Sequence, residues 1–275
     1  IATRAVERLG HAGHTTITVQ GADAAAARDQ LKQAIAADLD GVLVVGGEAA
    51  LHAVLDHVAD SDLAFGLIPA GTGNDTARSL GIPVKDPEAA VDLVIAGHVR
   101  TIDLARADET YVATVVASGF DSKVNERANA MRWPRGNMRY NIGIVAELST
   151  FKPLPFTLTL DGKTIERDAM LVAVGNGSSY GGGIRLCEGA RLDDGLLDVV
   201  IINPVSKLKL LRVVPQLYRG THTTIPEFER HLVREATISS SGVVAYGDGE
   251  RLGGLPMTTR VCPGALRVFA PPAPA

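Results

Sequence analysis

The chain has 275 residues, enough for one large domain or two of ordinary size. Hydrophobic residues make up 46% and charged residues 21%, which permits a packed core and excludes global disorder. The net charge of -4 gives no support to a nucleic-acid partner. The two cysteines, Cys187 and Cys262, form neither a C-x-x-C pair nor a metal cluster with histidine, so no disulfide framework is expected and the cytoplasm suits the chain. No run of about 18 apolar residues predicts a membrane span, and no signal peptide is read at the start.

Residues 1–9 predict a helix, with Ile1, Ala5, Val6 and Leu9 on one apolar face. Residues 10–13 break it. Residues 15–19, Thr-Thr-Ile-Thr-Val, predict a strand, 22–37 an alanine-rich helix and 41–45 a buried strand. That strand runs into Gly46-Gly47-Glu48-Ala49-Ala50 and a further helix. A second apolar run, 65–69, ends in Pro69 and leads into Gly71-Thr72-Gly73-Asn74-Asp75, with a short helix over 76–80. Two strand–glycine–helix units in series predict a parallel sheet with both loops at its carboxyl edge, where open α/β sheets bind ligands. Gly71 and Gly73 permit close approach of a ligand, and N–H groups at a helix start attract anions. Asn74 and Asp75 are good cap residues, and Asp75 is also placed to face a metal. Taken alone, the stretch fits an ordinary capped turn equally well.

Residues 86–96 predict a helix with Pro87 in its first turn, closed by Gly97. Residues 101–104 predict a strand carrying Asp103. The texture then changes. Short alternating runs at 111–117, 156–160, 169–174, 197–202, 236–240, 243–246 and 266–269, spaced by Gly, Pro, Asn and Asp, predict an antiparallel sandwich. Helical inserts are expected at 121–150 and 206–220, and a frayed end at 271–275. The fold class is α/β plus all-β, with a boundary at the composition shift between 1–104 and 105–275.

The two glycine loops together resemble the diacylglycerol kinase catalytic-domain family, which includes the sphingosine kinases. More distantly they are similar to NAD kinases and phosphofructokinases. The family's Gly-Thr-Gly-Asn-Asp loop is intact at Gly71-Thr72-Gly73-Asn74-Asp75. Its Gly-Gly-Asp-Gly-Thr loop is altered to Gly46-Gly47-Glu48-Ala49-Ala50, and its opening strand with an Asn-Pro-x-Ser-Gly loop is not found. Ser118-Gly119-Phe120-Asp121, the run from Val174 to Gly183, Asp193-Asp194-Gly195-Leu196-Leu197-Asp198 and Gly247-Asp248-Gly249-Glu250 resemble the same kinases in the same order. The run from Asn129 to Pro134 looks closest to actinobacterial diacylglycerol kinases.

The resemblance implies a three-layer α/β nucleotide-binding domain over 1–104 and a β-sandwich lipid-substrate domain over 105–275. It implies an ATP-dependent lipid kinase that phosphorylates the hydroxyl of diacylglycerol to give phosphatidic acid. Gly46, Gly47, Glu48, Gly71, Thr72, Gly73, Asn74 and Asp75 become nucleotide-binding residues. Asp248 becomes the general base, set between two glycines and sterically free to reach a substrate. Glu250 becomes a magnesium or substrate contact. A structural Mg2+ is implied on the Asp194 side chain with the Arg191 and Leu196 carbonyls, orienting the Asp248 region through water. Without the family, Gly247-Asp248-Gly249 reads as a hairpin turn and 193–198 as a solvated acidic turn. The implied setting is cytoplasmic, peripheral to the inner face of the plasma membrane, with lipid presented at a membrane surface and a homodimer left open.

Glu48 keeps the charge of the family's aspartate and is one methylene longer. Ala49 adds a Cβ that is expected to clash or to forbid a positive φ, weakening nucleotide binding. That departure keeps two alternatives open: a kinase of another lipid, such as a sphingoid base or glycolipid, and a non-catalytic nucleotide- or lipid-binding relative. NAD kinase is a weaker third. Arg127, Arg132, Arg135 and Arg139 around Met131, Trp133 and Met138 suit an anionic membrane surface, or equally a solvated basic helix. His52, His57, His98, His222 and His231 stand singly and read as surface or structural residues.

Overall fold

The computed structural model describes residues 1–20, 24–36, 39–131 and 152–273. Strands β1 (Gly41–Gly46) and β2 (Ala64–Pro69) pair in parallel, Gly41 opposite Ala64 through Gly46 opposite Pro69. Their near-continuous apolar runs suit strands covered on both faces. On one face lie α2 (Ala24–Ile35) and α3 (Glu48–Val58), whose Leu31, Leu51, Leu55 and Val58 bury against Val42, Val44, Phe65 and Leu67. On the other lie α1 (Ala2–His11) and α5 (Pro87–Ile95), whose Ala5, Leu9, Val91 and Val94 cluster with Ile68. Between β2 and α5 sits the short α4 (Asp75–Leu80). The result is a three-layer α/β unit.

The chain then passes through β3 (Val99–Ala107), β4 (Thr110–Val112), β5 (Val115–Gly119) and α6 (Phe120–Ala130). It continues through β6 (Leu154–Leu160), β7 (Lys163–Ala169), β8 (Leu171–Gly175), β9 (Leu197–Ile202) and α7 (Lys207–Arg219). The last strands are β10 (Phe228–Val233), β11 (Glu235–Ser239), β12 (Val244–Gly247), β13 (Glu250–Gly254) and β14 (Met257–Phe269). A six-stranded antiparallel sheet has the order β10-β9-β8-β5-β12-β13. Its inner face packs on β3, β6 and β11, with Val116, Val172, Val199 and Ile201 against Phe156, Leu158, Ala236 and Ile238. This is the sandwich.

The long β14 ties the parts together. It runs antiparallel to β11 and β3 and parallel to β2, where Val268 lies opposite Phe65. The first sheet is therefore mixed, in the order β1-β2-β14-β11-β6-β7, with β3 and β4 carried on β14.

Several expectations change. Residues 15–19 form no strand; a strand exists only as a ladder partner, and β1 pairs with β2 alone among the described residues. The run at 111–117 is two strands, β4 and β5, broken at Ala113-Thr114. The run at 266–269 is the end of a 13-residue strand. Strands β7, β10 and β13 have no counterpart among the predicted runs. Of the helical insert expected at 121–150, α6 accounts for the start, and 132–151 lie outside the described residues, with Arg132, Trp133, Arg135, Met138 and Arg139 among them. Among the described residues no helix is long and apolar enough to cross a membrane.

Candidate active site

The loops after β1 and β2 meet backbone to backbone. A Cβ on Gly71 would stand 2.5 Å from the Gly47 Cα, and one on Gly47 would stand 2.9 Å from the Gly71 Cα. No side chain fits at that contact. Gly71→Ala is expected to push the loops apart and destabilise the fold by about 1–3 kcal/mol, read as a lower urea midpoint at an unchanged slope.

Asn74 does not cap α4 as predicted. It holds a left-handed φ of 56° and turns back on its own loop. Its Oδ1 accepts from the Gly71 N–H at 3.0 Å, and its Nδ2 donates to the Gly71 carbonyl at 2.9 Å. The cap comes from the other loop. Glu48 Oε1 accepts from the backbone N–H of Asp75 and from that of Thr76, the latter at 3.0 Å. The altered acid of the first loop thus fixes the second. The amides of Gly71, Asp75 and Thr76 are committed to these internal acceptors, which narrows the donors expected for phosphates.

Ala49 corrects another expectation. It lies exposed in the first turn of α3 and has no positive φ, so the backbone penalty expected of its Cβ does not arise.

Asp75 bridges the two halves of the molecule. Its Oδ2 accepts from the Gly182 N–H at 2.6 Å and its Oδ1 from the Gly183 N–H at 2.7 Å. Gly181, Gly182 and Gly183 have φ of 61°, 86° and 106°, a run that only glycine adopts readily and that turns successive N–H groups toward an anion. Burial pushes the Asp75 carboxyl up, and these amides oppose the shift.

Asp248 occupies the tip of the β12–β13 hairpin. Gly247 pairs with Glu250, so Asp248-Gly249 is a two-residue loop with φ of 49° and 83°, the Asp-Gly chemistry of a type I′ turn. Its side chain is not free, contrary to expectation. It is 3% exposed and folded onto the β4–β5 turn. Oδ2 accepts from the Ala113 N–H at 2.7 Å, and Oδ1 accepts from the Thr114 N–H at 2.9 Å and the Thr114 hydroxyl at 2.6 Å. Burial raises its pKa, these three donors lower it, and the His52 charge lowers it further. The first cause is the largest. Glu250 begins β13 at the exposed rim.

Glu48 and Asp248 are close enough for each other's charge to count. Burial first, then repulsion from Asp248 and Asp75, pushes the Glu48 carboxyl up to about 7, against the Thr76 and Asp75 amides. Glu48 Oε2 is buried without a partner, as are His52 Nδ1 and Thr76 Oγ1. His52 lies one helical turn from Glu48 on α3, on the same face. The structure therefore brings together Gly46, Gly47, Glu48, Gly71, Thr72, Gly73, Asn74, Asp75 and Asp248, and adds Thr114 and His52. Thr114 had no signal in the sequence, because its role exists only once β5 lies beside β12.

Asp194, Arg191 and Leu196 share a turn held to the core by Asp103. Asp103 Oδ2 accepts from the Gly195 N–H at 2.7 Å and Oδ1 from the Gly264 N–H at 2.8 Å. The link from this turn to Asp248 runs through protein groups. Asn176 Nδ2 donates to the Asp103 carbonyl at 2.9 Å and to the Ala113 carbonyl at 3.0 Å, and the Ala113 N–H holds Asp248. The donors named for Mg2+ are a carboxylate and two carbonyls, the oxygen set a hard cation takes. Asp194 accepts from the Leu196 N–H at 3.1 Å, whereas Asp193 is paired with Arg191 at 3.3 Å. The donor chemistry fits at Asp194. No group of three or more His, Cys, Asp or Glu side chains able to hold a metal occurs among the described residues.

The layered α/β unit joined to a β-sandwich is the architecture of diacylglycerol kinases and NAD kinases. A putative diacylglycerol kinase from Bacillus anthracis superposes with a TM-score of 0.80 at 19% identity, covering 98% of this chain and 92% of that one. An NAD kinase from Archaeoglobus fulgidus, solved with ATP, gives 0.56 at 13% identity, covering 98% and 88%. The diacylglycerol kinase catalytic domain matches residues 1–107, and the YegS C-terminal NAD kinase beta sandwich-like domain matches 114–270. The diacylglycerol kinase of Mycobacterium tuberculosis strain H37Rv is 43% identical over 273 residues, 97% of this chain and 88% of that protein. That of Bacillus subtilis is 28% identical over 220 residues, 79% and 73% of the two chains. The chain belongs to the diacylglycerol kinase catalytic-domain family of lipid kinases.

Proposed function

We propose that the protein transfers the γ-phosphate of ATP to the hydroxyl of diacylglycerol, giving phosphatidic acid. The observation that carries the reading is one buried carboxylate, Asp248, fixed by three hydrogen bonds and close enough to repel Glu48, the acid of the first glycine loop that also holds the Asp75 and Thr76 amides of the second. Phosphoryl transfer asks a protein chiefly to position groups and stabilise charge. Residues 1–104 form the nucleotide-binding part and 105–275 the lipid part in this proposal. Gly46, Gly47, Thr72 and Gly73 face the phosphates, with Glu48, Asn74 and Asp75 bracing those loops. Asp248 accepts the proton of the acceptor hydroxyl at a carboxylate oxygen, with Thr114 holding Oδ1 and the Ala113 amide holding Oδ2. Glu250 contacts substrate at the rim. ATP supplies the phosphoryl group, and a magnesium ion, when bound, would neutralise its charge. Asp194 with the Arg191 and Leu196 carbonyls would hold a second, structural Mg2+ on the turn that reaches Asp248 through Asp103 and Asn176. The lipid is met at the inner face of the plasma membrane, where exposed Leu208 and Tyr218 of α7 offer apolar surface.

A second reading, a nucleotide- or lipid-binding relative without turnover, draws on Glu48, whose carboxylate takes two amides that a phosphate otherwise meets. The test is label transfer from Mg-ATP to dioctanoylglycerol, sphingosine and NAD in parallel, with the lipids in mixed micelles. Label in dioctanoyl phosphatidic acid is the expected outcome. Label only in sphingosine or NAD reassigns the substrate. No label, with ATP failing to bind at millimolar concentration, leaves the binding relative.

A further inference from the structure

A second hollow lies apart from the acid cluster. It is a cavity of about 270 Å3 beside the carboxyl end of α4, bordered by the start of β3, the loop at 190–193 and the segment 271–273. It shares no lining residue with Glu48, Asn74, Asp75 or Asp248. The guanidinium-bearing residues Arg78, Arg100 and Arg191 line it, with Ser79 and Ser178, and among the described residues Asp193 is the one carboxylate on its wall. We propose that this cavity is a binding site for a phosphate dianion, either free phosphate or the monoester head of a phosphorylated lipid.

Charge is the first argument. Two of the three guanidiniums share the one lining carboxylate, Arg191 Nε at 3.3 Å from Asp193 and Arg100 Nη2 at 3.8 Å from it, while Arg78 pairs with Asp75 at 3.6 Å. The Arg100 side chain is only 14% exposed, and its other acceptor is the Pro271 carbonyl at 3.3 Å. A guanidinium withdrawn from water wants closer, charge-assisted partners than these. Phosphate oxygens match its planar fork. The second argument is an orphan. Ser79 lies on the same wall, and its Oγ, closed off from solvent on the Gly177 side, has no hydrogen-bond partner. Size is the third. Pockets for drug-sized ligands begin near 300 Å3, so this one suits a head group and not an acyl chain.

The site is coupled to the glycine loops through Arg78. That residue donates to the Gly73 carbonyl and lies 3.6 Å from Asp75 Oδ1, while also lining the cavity. A dianion in the cavity draws on the same guanidinium. It therefore changes the affinity of the loops for their own ligand, and linkage makes that change reciprocal.

The test is calorimetric titration of the full chain, without nucleotide, with inorganic phosphate against sodium chloride at equal ionic strength, and separately with dioctanoyl phosphatidic acid. Wild type is expected to bind phosphate saturably, and Arg100→Gln to weaken that binding about tenfold. Ser79→Ala, which breaks no ion pair, serves if Arg100→Gln fails to fold, and is expected to weaken it several-fold. Tighter binding of the phosphatidic acid that Arg100→Gln abolishes identifies a lipid head group; equal binding identifies free phosphate. An identical phosphate isotherm in wild type and both variants, or no response beyond that to chloride, overturns the site. The measurement uses neither ATP nor turnover, so it stands whether or not diacylglycerol is the acceptor.

Discussion

Asp248→Asn is expected to lower kcat on dioctanoylglycerol by a hundredfold to ten-thousandfold, the range that follows loss of a general base. The geometry explains why the loss is steep. The carboxylate accepts at 2.7, 2.9 and 2.6 Å from two amides and a hydroxyl, which fixes its orientation. Asparagine keeps one acceptor oxygen and sets its amide donors against the Ala113 or Thr114 N–H. That mismatch leaves a buried donor unsatisfied and costs about 1–3 kcal/mol of stability. A fall in activity without folding control is therefore ambiguous, and Thr114→Val resolves it. The valine variant keeps the carboxylate and loses only the 2.6 Å hydroxyl bond. That bond favours the charged form, so its loss raises the Asp248 pKa further. The acid limb of kcat/KM is expected to move to higher pH while activity at high pH survives. A Thr114→Val limb superposed on wild type would show that Asp248 is not the titrating base.

Glu48→Gln is expected to reverse the usual sense of an acid substitution by stabilising the protein above neutral pH. Glu48 has a folded pKa of about 7 against 4.5 for an ordinary glutamate. Between those values the folded chain holds a proton that the unfolded chain releases. Stability from this group is therefore full below about pH 4.5 and is lost as the pH rises through 7. The swing is roughly 3 kcal/mol at most, shared with Asp248 and Asp75, whose raised values push in the same direction. The glutamine amide keeps an oxygen for the Asp75 and Thr76 N–H groups and carries no charge. Chemical denaturation at pH 5 and pH 8 is expected to show a steep decline in wild type, a flatter one in the variant, and the variant more stable at pH 8. Parallel declines would mean that Glu48 is ionised throughout.

Much of this molecule was legible as sequence. The apolar runs at 41–45 and 65–69, each leading into a glycine loop, define the parallel pair and put two loops at one edge, because side-chain pattern and glycine position are local properties. The Asp-Gly pair at 248–249 likewise specifies a hairpin tip from its own backbone preference. Other features have no local signature. Strands β7, β10 and β13 escaped prediction because each is the last strand of its sheet, with charged residues such as Lys163, Glu166, Arg230 and Arg251 on the side that water covers. Residues 15–19 carry strand composition without a ladder partner, and composition alone does not make a strand.

The site divides in the same way. Gly71-Thr72-Gly73-Asn74-Asp75 and Asp248 could be picked out as chemistry-bearing residues, since residue type and spacing are written in the chain. Asn74 turns back on Gly71 within its own loop, but what the acids do was settled only by neighbours more than 25 positions away. Glu48 caps a helix that begins at Asp75, Asp75 is held by Gly182 and Gly183, and Asp248 is held by Ala113 and Thr114. The sequence by itself determined the loops, the acids and the family. The tertiary structure decided which amides those acids take, and hence how far burial moves their protons, because desolvation depends on everything packed around a carboxylate and not on the residues beside it in the chain.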